Sequence, residues 1–314
     1  MFTTRNDSPP PDAWSLGGQP SPPPSPPRAP LARFALVDAF SSVPFKGNPA
    51  AVVLLAPFGS FPSDASMQAL AGELNQSETA FCFRRGDGPG YALRWFTPER
   101  EVELCGHATL ASAHALVTLQ SATLPLSFHT RSGELRVSRD AVGGVLLQMD
   151  FPAAPPSEAV PAAAAFLTGA LAAALGATPV WVGRADATGD TFCVLDSEEA
   201  VRAVVPDFGA LRRLGGRGIV VTASATGGAG SSYDFVSRFF APSLGVDEDP
   251  VTGSAHSALG PFWAQRLGKS ALLGRQLSVR GGEVIVTVQP CGQRVLLSGR
   301  AVTVMHGDMD VPLL

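Results

Sequence analysis

RWFTPEREVELCG (residues 94–106) and RFFAPSLGVDEDP (residues 238–250) are two versions of one phrase in this chain. An arginine, a phenylalanine, a proline and a valine recur in it at the same spacing. After a slip of three residues, Gly106-His107-Ala108 recurs as Gly253-Ser254-Ala255. The repeat predicts two duplicated halves whose related segments meet in one active site.

The bulk composition indicates a globular protein large enough for two domains. The chain has 314 residues, of which 45% are hydrophobic and 16% charged, and its net charge is −4. No basic stripe suggests nucleic acid, and no apolar run is long enough to span a membrane. Four cysteines without a CxxC spacing predict reduced thiols, no disulfide framework and a cytoplasmic location.

The first 30 residues contain ten prolines. Because proline fixes φ and removes amide donors, we interpret residues 1–30 as a disordered tail with polyproline character. A ligand for a proline-binding module is the less favoured alternative. The folded part is expected to begin at Phe34.

The pattern beyond the tail predicts many short strands and one buried helix in each half. Residues 107–119 are almost wholly apolar or small, and a helix without a polar face is buried on all sides. A second small-residue helix begins at Gly253. We expect an α+β fold of two pseudo-symmetric domains, each a β-sheet or barrel wrapped around a central helix: residues 31–152 and 153–299, with a final strand at about 300–314 returning to the first domain.

The starts of these two helices are candidate anion sites. Cys105-Gly106-His107 and Thr252-Gly253-Ser254 each lie at a helix N-terminus, where free amides and the helix dipole favour a carboxylate. Glycine lets a ligand approach the backbone closely. The alternative is that both glycines are ordinary turn residues, but the repeat favours function.

Four titratable residues near these helix starts have a functional and a structural interpretation. His107 is expected to be a neutral histidine that relays protons, or else a core histidine. His114 is assigned to the core, and His256 is undecided. Asp249 is a site candidate or a helix N-cap. Its neighbours Asp247 and Glu248 are interpreted as solvated loop acids.

Glu78 in NQSETAF (residues 75–81) is the candidate general acid/base. It lies where a helix passes into a strand and is followed by apolar residues. Burial would raise its pKa toward neutrality, where a carboxyl group is most useful for proton transfer. The alternative is an exposed loop glutamate.

Cys105 has two further interpretations. A thiol at a helix N-terminus can be acidified into a nucleophile. A metal site formed by Cys105, His107 and His256 lacks a recognised ligand spacing, so no metal is predicted.

Taken together, four stretches resemble the phenazine-biosynthesis isomerase family (PhzF-like proteins), which shares the fold of diaminopimelate epimerase. They are VDAFSSVPFKGNPAAVVLL, NQSETAF, RWFTPEREVELCGHATLASA and SRFFAPSLGVDEDPVTGSAHSALGPFW. Only the proline-rich tail falls outside the resemblance. The resemblance implies a homodimer, no cofactor and a site in the cleft between two similar domains.

The resemblance also implies roles for individual residues. Glu78 of NQSETAF matches the principal acid/base, and the other site residues are His107, Asp249 and Ser254. In the epimerase relatives two cysteines face each other across the cleft, whereas this chain has Cys105 and Asp249 in those places. A racemase with two thiols is therefore disfavoured, and Gln76 departs from the apolar residue that is usual in this loop.

The implied activity is a cofactor-independent isomerisation of a small carboxylate by proton transfer. Glu78, His107 and Asp249 would be catalytic, and Ser254, Gly106, Gly253 and Cys105 would bind the substrate. Two alternatives stay open: an epimerase or racemase of an amino or hydroxy acid, and a non-catalytic metabolite-binding protein.

Overall fold

The structure is a computed structural model that describes residues 32–57, 59–140, 144, 146–225 and 232–309. The predicted tail, residues 1–30, lies outside the described residues. So do Gly143 and most of the glycine- and serine-rich loop 226–232.

One mixed sheet runs through both halves of the described chain. The strands of the N-terminal half (residues 32–152) are β1 (Ala32–Ala39), β2 (Asn48–Leu55), β3 (Glu78–Arg84), β4 (Tyr91–Phe96), β5 (Glu101–Val102), β6 (Leu126–Thr130), β7 (Gly133–Arg139) and β8 (Leu147–Pro152). Those of the C-terminal half (residues 153–299) are β9 (Ser157–Glu158), β10 (Trp181–Ala185), β11 (Asp190–Val194), β12 (Gly218–Ser224), β13 (Phe235–Phe240), β14 (Ala271–Gln276), β15 (Gly282–Val288) and β16 (Arg294–Gly299). The last strand, β17, covers Ala301–Met309.

Six α-helices accompany these strands in the described residues. They are α1 (Asp64–Leu74), α2 (Gly106–Gln120), α3 (Pro161–Leu175), α4 (Glu198–Ala203), α5 (Phe208–Leu214) and α6 (Gly253–Leu267). Ser63 and Ser197 are the N-caps of α1 and α4, since both hydroxyls accept a backbone N–H of the first turn. Helix α5 was not predicted.

The two halves repeat one topology. In the N-terminal half β1-β2-β3-β4-β6-β7-β8 pair successively as antiparallel, parallel, antiparallel, parallel, antiparallel and antiparallel. In the C-terminal half β10-β11-β12-β13-β14-β15-β16 pair in the same sequence of directions. The duplication indicated by the repeated phrase therefore extends to the order and direction of the strands. The predicted α+β fold of two pseudo-symmetric domains is confirmed.

Two antiparallel pairings connect the halves. Strand β16 pairs with β8, from Arg294 opposite Pro152 to Gly299 opposite Leu147. Strand β17 runs back along the outer edge of β1, from Ala301 opposite Ala39 to Met309 opposite Ala32. Residues 301–309 therefore provide the outer neighbour of β1 in the sheet.

Helix α2 is the core of the N-terminal half, packed against β1, β2, β3, β8 and β17. Its buried hydroxyl groups bond to backbone carbonyls one turn earlier. The Thr109 hydroxyl donates to the Cys105 carbonyl (2.6 Å), and the Ser112 hydroxyl donates to the Ala108 carbonyl (2.7 Å). A helix without a polar face can be buried on these terms, because no hydroxyl is left without a partner.

Helix α6 is the counterpart of α2 and packs on β14, β15 and β16. Its small residues permit very close contact: a Cβ on Gly260 would lie 2.3 Å from Cγ1 of Val286. Among the described residues, every helix is too short or too polar to cross a bilayer.

Candidate active site

A cavity of about 100 Å³ lies between the halves, at the facing ends of α2 and α6. All seven predicted site residues line it: Glu78, Cys105, Gly106, His107, Asp249, Gly253 and Ser254. A second cavity of about 300 Å³ adjoins it and shares the walls Ser77, Leu244 and Val246. The seven residues therefore lie together, although their roles stay predictions, and the second cavity enlarges the space beside them.

The two helix tips meet at this cavity. A Cβ on Gly106 would lie 3.7 Å from the Cα of Gly253, and a Cβ on Gly253 would lie 3.6 Å from the Cα of Gly106. Neither N-cap residue, Cys105 or Thr252, forms a side-chain capping bond. The first amides of both helices are thus available to one anion.

Glu78 is the first residue of β3, and its side chain is 19% exposed. Its Oε2 lies 3.2 Å from Nε2 of His107 but off the direction of a hydrogen bond, so this buried oxygen has no hydrogen-bond partner among the described residues. The pKa of Glu78 is raised to about 8: burial contributes most, the charge of Asp249 adds to it, and a hydrogen bond with Cys105 opposes it. A carboxyl group in this state can both accept and return a proton near neutral pH.

His107 is the second residue of α2 and is buried. Burial lowers its pKa to about 3, so the imidazole is neutral. Its Nδ1 lies 3.2 Å from Nδ2 of Asn48 and 3.5 Å from the sulfur of Cys105. The expected neutral histidine is therefore present beside Glu78.

Asp249 enters the site from the C-terminal half. Its Oδ1 accepts from Nδ2 of Asn48 (2.8 Å) and its Oδ2 from the hydroxyl of Thr252 (2.5 Å). Burial raises the pKa of Asp249 to about 6, and these two hydrogen bonds oppose the increase. The N-cap interpretation is wrong, since α6 begins at Gly253 and Thr252 is its cap.

An ion pair between the half-buried Arg217 and the buried Asp190 supports the same side of the cavity. Nε and Nη2 of Arg217 bind the two carboxylate oxygens of Asp190 at 3.0 and 2.6 Å, and Asp190 is completely buried. Nη2 also donates to the hydroxyl of Ser254 (2.9 Å). Because the Ser254 oxygen accepts that bond, its own hydrogen remains to be donated toward the cavity.

The duplicated halves contribute unequally to the site. Phe81 pairs with Arg94 in the first half as Val221 pairs with Arg238 in the second, which places Gly218 where the first half has Glu78. A Cβ on Gly218 would lie 2.2 Å from Cζ of Phe239. The packing around Gly218 leaves no room for a glutamate there, so only the first half has a glutamate at this position.

Comparison with known proteins identifies the family of this chain. The family model "Phenazine biosynthesis-like protein" (PhzC-PhzF) matches residues 37–307. The chain is 50% identical over 275 residues to "Uncharacterized isomerase PA3578" of Pseudomonas aeruginosa, covering 87% of this chain and 97% of that protein. It belongs to the phenazine biosynthesis-like family.

Solved structures show the same fold. A PhzF family protein from Enterococcus faecalis superposes with a TM-score of 0.78 at 41% identity, covering 89% of this chain and 99% of that one. A hydroxyproline epimerase from Agrobacterium vitis superposes with a TM-score of 0.53 at 12% identity, covering 90% and 94%, which shows the fold alone. This PhzF-like chain therefore has the two-domain, diaminopimelate epimerase-like architecture.

Other histidines of this PhzF-like chain lie outside the cavity walls. His114 is half-buried rather than in the core as assigned, and its Nε2 lies 3.0 Å from the Thr303 hydroxyl. His256 is buried, and its Nδ1 lies 2.8 Å from the Thr252 carbonyl, so Nδ1 must carry the hydrogen. The undecided His256 is thus a structural residue.

The group of metal-ligand type in the described residues is Glu78, Cys105 and His107, whose candidate ligand atoms lie within 4.8 Å of one another. His256 is not part of this group, which corrects the set that the sequence suggested. Burial raises the pKa of Cys105 well above its usual value, and the charge of Glu78 raises it further. The thiol is therefore protonated, which argues against the activated nucleophile considered for Cys105 and against a thiolate ligand.

The interpretation of the loop acids needs one correction. Asp247 is exposed, as predicted. Glu248 is not solvated, because Arg238 binds both of its oxygens at 2.7 and 3.0 Å. Arg94 binds Glu101 in the same way, at 2.7 Å to each oxygen. The arginines of the repeated phrase thus stabilise each half and do not line the cavity.

Sequence reasoning missed Asn48 and the Arg217–Asp190 pair, and it placed Thr252 at the helix start without predicting its hydrogen bond to Asp249. Asn48 lies between Gly47 and Pro49 in the sequence, and neither neighbour indicates its contacts. Arg217 and Asp190 lie in no motif of the repeated phrase. Their proximity depends on the pairing of β11 with β12, which local patterns do not specify.

Proposed function

We propose that this PhzF-like chain is an isomerase that moves a proton, and with it a double bond, on a small carboxylic acid without a cofactor. The observation that carries the proposal is the Glu78 carboxyl group, which lines the shared cavity, has a buried Oε2 without a hydrogen-bond partner among the described residues, and has its pKa raised to about 8. The isomerase name of a relative that is 50% identical supports the same reaction class.

The proposed reaction uses Glu78 twice. Its carboxylate removes a proton from a carbon that is activated by the conjugated acid group, and the electron pair passes into the π system. The resulting carboxylic acid then returns the proton to another carbon of that system, so the double bond shifts and the atoms balance. Positioned acid/base groups of this kind contribute about 10²–10⁴-fold in rate.

The substrate carboxylate is proposed to bind at the facing helix tips. Gly106 and Gly253 allow it close to the amides, and Ser254 donates its hydroxyl hydrogen. Asp249 and His107 complete the polar wall around the reacting carbons. The His107 side chain is neutral, so it does not have to gain or lose a charge when the substrate binds.

Deuterium incorporation tests the proposal. Small unsaturated carboxylic acids are incubated with the protein in D₂O, and NMR follows exchange at carbon in wild type and in Glu78→Gln. Glu134→Gln, which removes an exposed carboxylate from β7, is the matched control. We expect exchange with migration of the double bond in wild type and control, and a loss of at least 10²-fold in Glu78→Gln.

The alternatives give different results in the same experiment. Glu78 and Asp249 approach the cavity from opposite halves, and both have raised pKa values, an arrangement that also suits epimerisation by two bases. Exchange with inversion and no migration would indicate that epimerase or racemase. Saturable binding of an acid without exchange in any variant would indicate a non-catalytic protein. The homodimer stays a prediction, which sedimentation velocity can check.

A further inference from the structure

Asn48 is completely buried between the two halves, at the first residue of β2. The turn before it is anchored to the C-terminal half: the Gly47 N–H donates to the Gly281 carbonyl (2.7 Å), and Nε of Arg280 donates to the Gly47 carbonyl (2.9 Å). Gly47 has a φ of +70°, and a Cβ there would lie 2.2 Å from the Ala39 carbonyl oxygen. This backbone therefore holds the Asn48 side chain in one place.

The amide of Asn48 has one possible orientation. Its Nδ2 lies 2.9 Å from the Val251 carbonyl and 2.8 Å from Oδ1 of Asp249, and both of these atoms are acceptors. Its Oδ1 accepts from the Ser77 hydroxyl at 3.4 Å. A flipped amide would place oxygen against two acceptors, so the nitrogen must face them.

That orientation determines which nitrogen of His107 carries hydrogen. Nδ2 of Asn48 is a donor only, and it lies 3.2 Å from Nδ1 of His107. A hydrogen on Nδ1 would point at this amide nitrogen, which cannot accept it, so the neutral ring carries its hydrogen on Nε2, which lies 3.2 Å from Glu78 Oε2.

We propose that Asn48 is a positioning residue that holds His107 in the Nε2–H tautomer, with that nitrogen on the side of Glu78, and joins it to Asp249 across the two halves. In this tautomer His107 places a nitrogen that carries hydrogen beside Glu78, which favours the carboxylate form of Glu78 and prevents Nε2 from accepting the substrate proton itself. The catalytic consequence rests on the proposed function, whereas the tautomer itself does not.

The tautomer can be read directly from the protein without substrate. With ¹⁵N-labelled histidine, long-range ¹H–¹⁵N spectra at neutral pH distinguish Nε2–H from Nδ1–H rings. His107→Gln assigns the His107 signals, and His256 is an internal reference for the opposite tautomer because its Nδ1 donates to Thr252. We expect His107 to have its hydrogen on Nε2. A hydrogen on Nδ1 in the wild type would overturn the proposal.

Two variants test whether Asn48 is the cause. Asn48→Asp has the same size but presents acceptors, so Nδ1 of His107 should take up a hydrogen. Should that variant fail to fold, Asn48→Ala removes the donor, and the spectrum should show a mixture of tautomers. Gln148→Leu, which removes a part-buried amide bonded to Ser298, is the matched control and should leave His107 unchanged. An unchanged Nε2–H signal in the folded Asn48 variant would contradict the proposal.

Failure of this inference and failure of the proposed function give different results. Deuterium exchange in the Asn48 variant should fall at least tenfold relative to Gln148→Leu. Exchange at the wild-type rate in that variant would refute the positioning role and leave the proposed isomerase intact. If the tautomers are as expected but no acid exchanges deuterium at carbon, the result would support the positioning role and refute the isomerase.

Discussion

Gly106 and Gly253 are in contact across the two halves of the chain, with the Cα of Gly106 3.6 Å from the place that a Cβ on Gly253 would occupy. Two helix N-termini therefore border one small space. Glu78 and His107 lie on the side of Gly106, and Asp249 and Ser254 lie on the side of Gly253. Any change that separates the two tips separates the proposed acid/base from half of its support.

The contact between the tips predicts a size limit at Gly253. Gly253→Ala places its Cβ at ordinary van der Waals distances, so the fold should be retained. Gly253→Leu overfills the space and should reduce the free energy of unfolding by about 1–3 kcal/mol and abolish deuterium exchange. Urea unfolding measures the first effect. Gly169→Ala, at a helical position with open space around it, is the control and should not destabilise.

Glu78 should make the protein less stable as the pH rises. Its pKa is about 8 when folded, against an ordinary value of 4.5, so between these pH values the folded state holds a proton that the unfolded state has lost. The free energy of unfolding then falls with increasing pH across this window. We expect Glu78→Gln to exceed wild type in stability at pH 8 by on the order of 1–3 kcal/mol, and by less at pH 5. An equal difference at both pH values in urea unfolding would contradict this.

The pH dependence of deuterium exchange should respond to the neighbours of Glu78. Exchange requires the Glu78 carboxylate, so its rate should rise with pH to a midpoint near pH 8. Asp249→Asn removes a negative charge that raises the pKa of Glu78, and the midpoint should move to lower pH. Cys105→Ala removes a hydrogen bond that lowers this pKa, and the midpoint should move to higher pH. Shifts in the same direction would refute these assignments.

Removing one partner of the Arg217–Asp190 pair should destabilise the protein, whereas replacing both partners with apolar residues should have a smaller effect. Arg217→Met leaves the Asp190 carboxylate buried without its partner and should cost about 3 kcal/mol. The double variant Arg217→Met, Asp190→Leu should recover most of that stability. Affinity for carboxylic acids should remain reduced in both, because Ser254 has lost the donor that orients its hydroxyl. Urea unfolding and NMR titration with an unsaturated acid measure the two effects separately.

The thiols should differ in reactivity according to their burial. Cys291 is exposed, whereas Cys82, Cys105 and Cys193 are buried. The raised pKa of Cys105 keeps its thiol protonated. Mass spectrometry after brief treatment with iodoacetamide at pH 7.5 should find Cys291 alkylated and Cys105 intact. Preferential modification of Cys105 would mean that its thiol is acidic in spite of burial.

The sequence predicted the parts of this protein that depend on local patterns. Small, apolar residues 107–119 predicted a buried helix, and the repeated phrase predicted the duplication. Glu78, His107 and Asp249 were predicted as site residues and line one cavity, although their roles stay predictions. The phrase did not reveal that its arginines have a structural role, because their partners Glu101 and Glu248 are recognised only once the chain has turned back on itself.

Contacts between distant segments explain the residues that were missed. Asn48 touches His107 and Asp249 because β2 begins at the boundary of both halves, and no spacing in the sequence encodes that boundary. Arg217 reaches Asp190 through parallel pairing of two strands that are separated by two helices. The N-cap interpretation of Asp249 failed because the helix begins after Thr252, and its carboxylate receives bonds from side chains.

The pairing of β17 with β1 has a consequence for biosynthesis. The first strand of the sheet obtains its outer neighbour from residues 301–309, which follow it by more than 260 positions. During translation the N-terminal half leaves the ribosome with that edge unpaired, and it stays so until residues 301–309 have also been synthesised. Premature termination after β16 would therefore release a nascent polypeptide whose β1 edge is open to pairing with other chains, a substrate for chaperones and proteases.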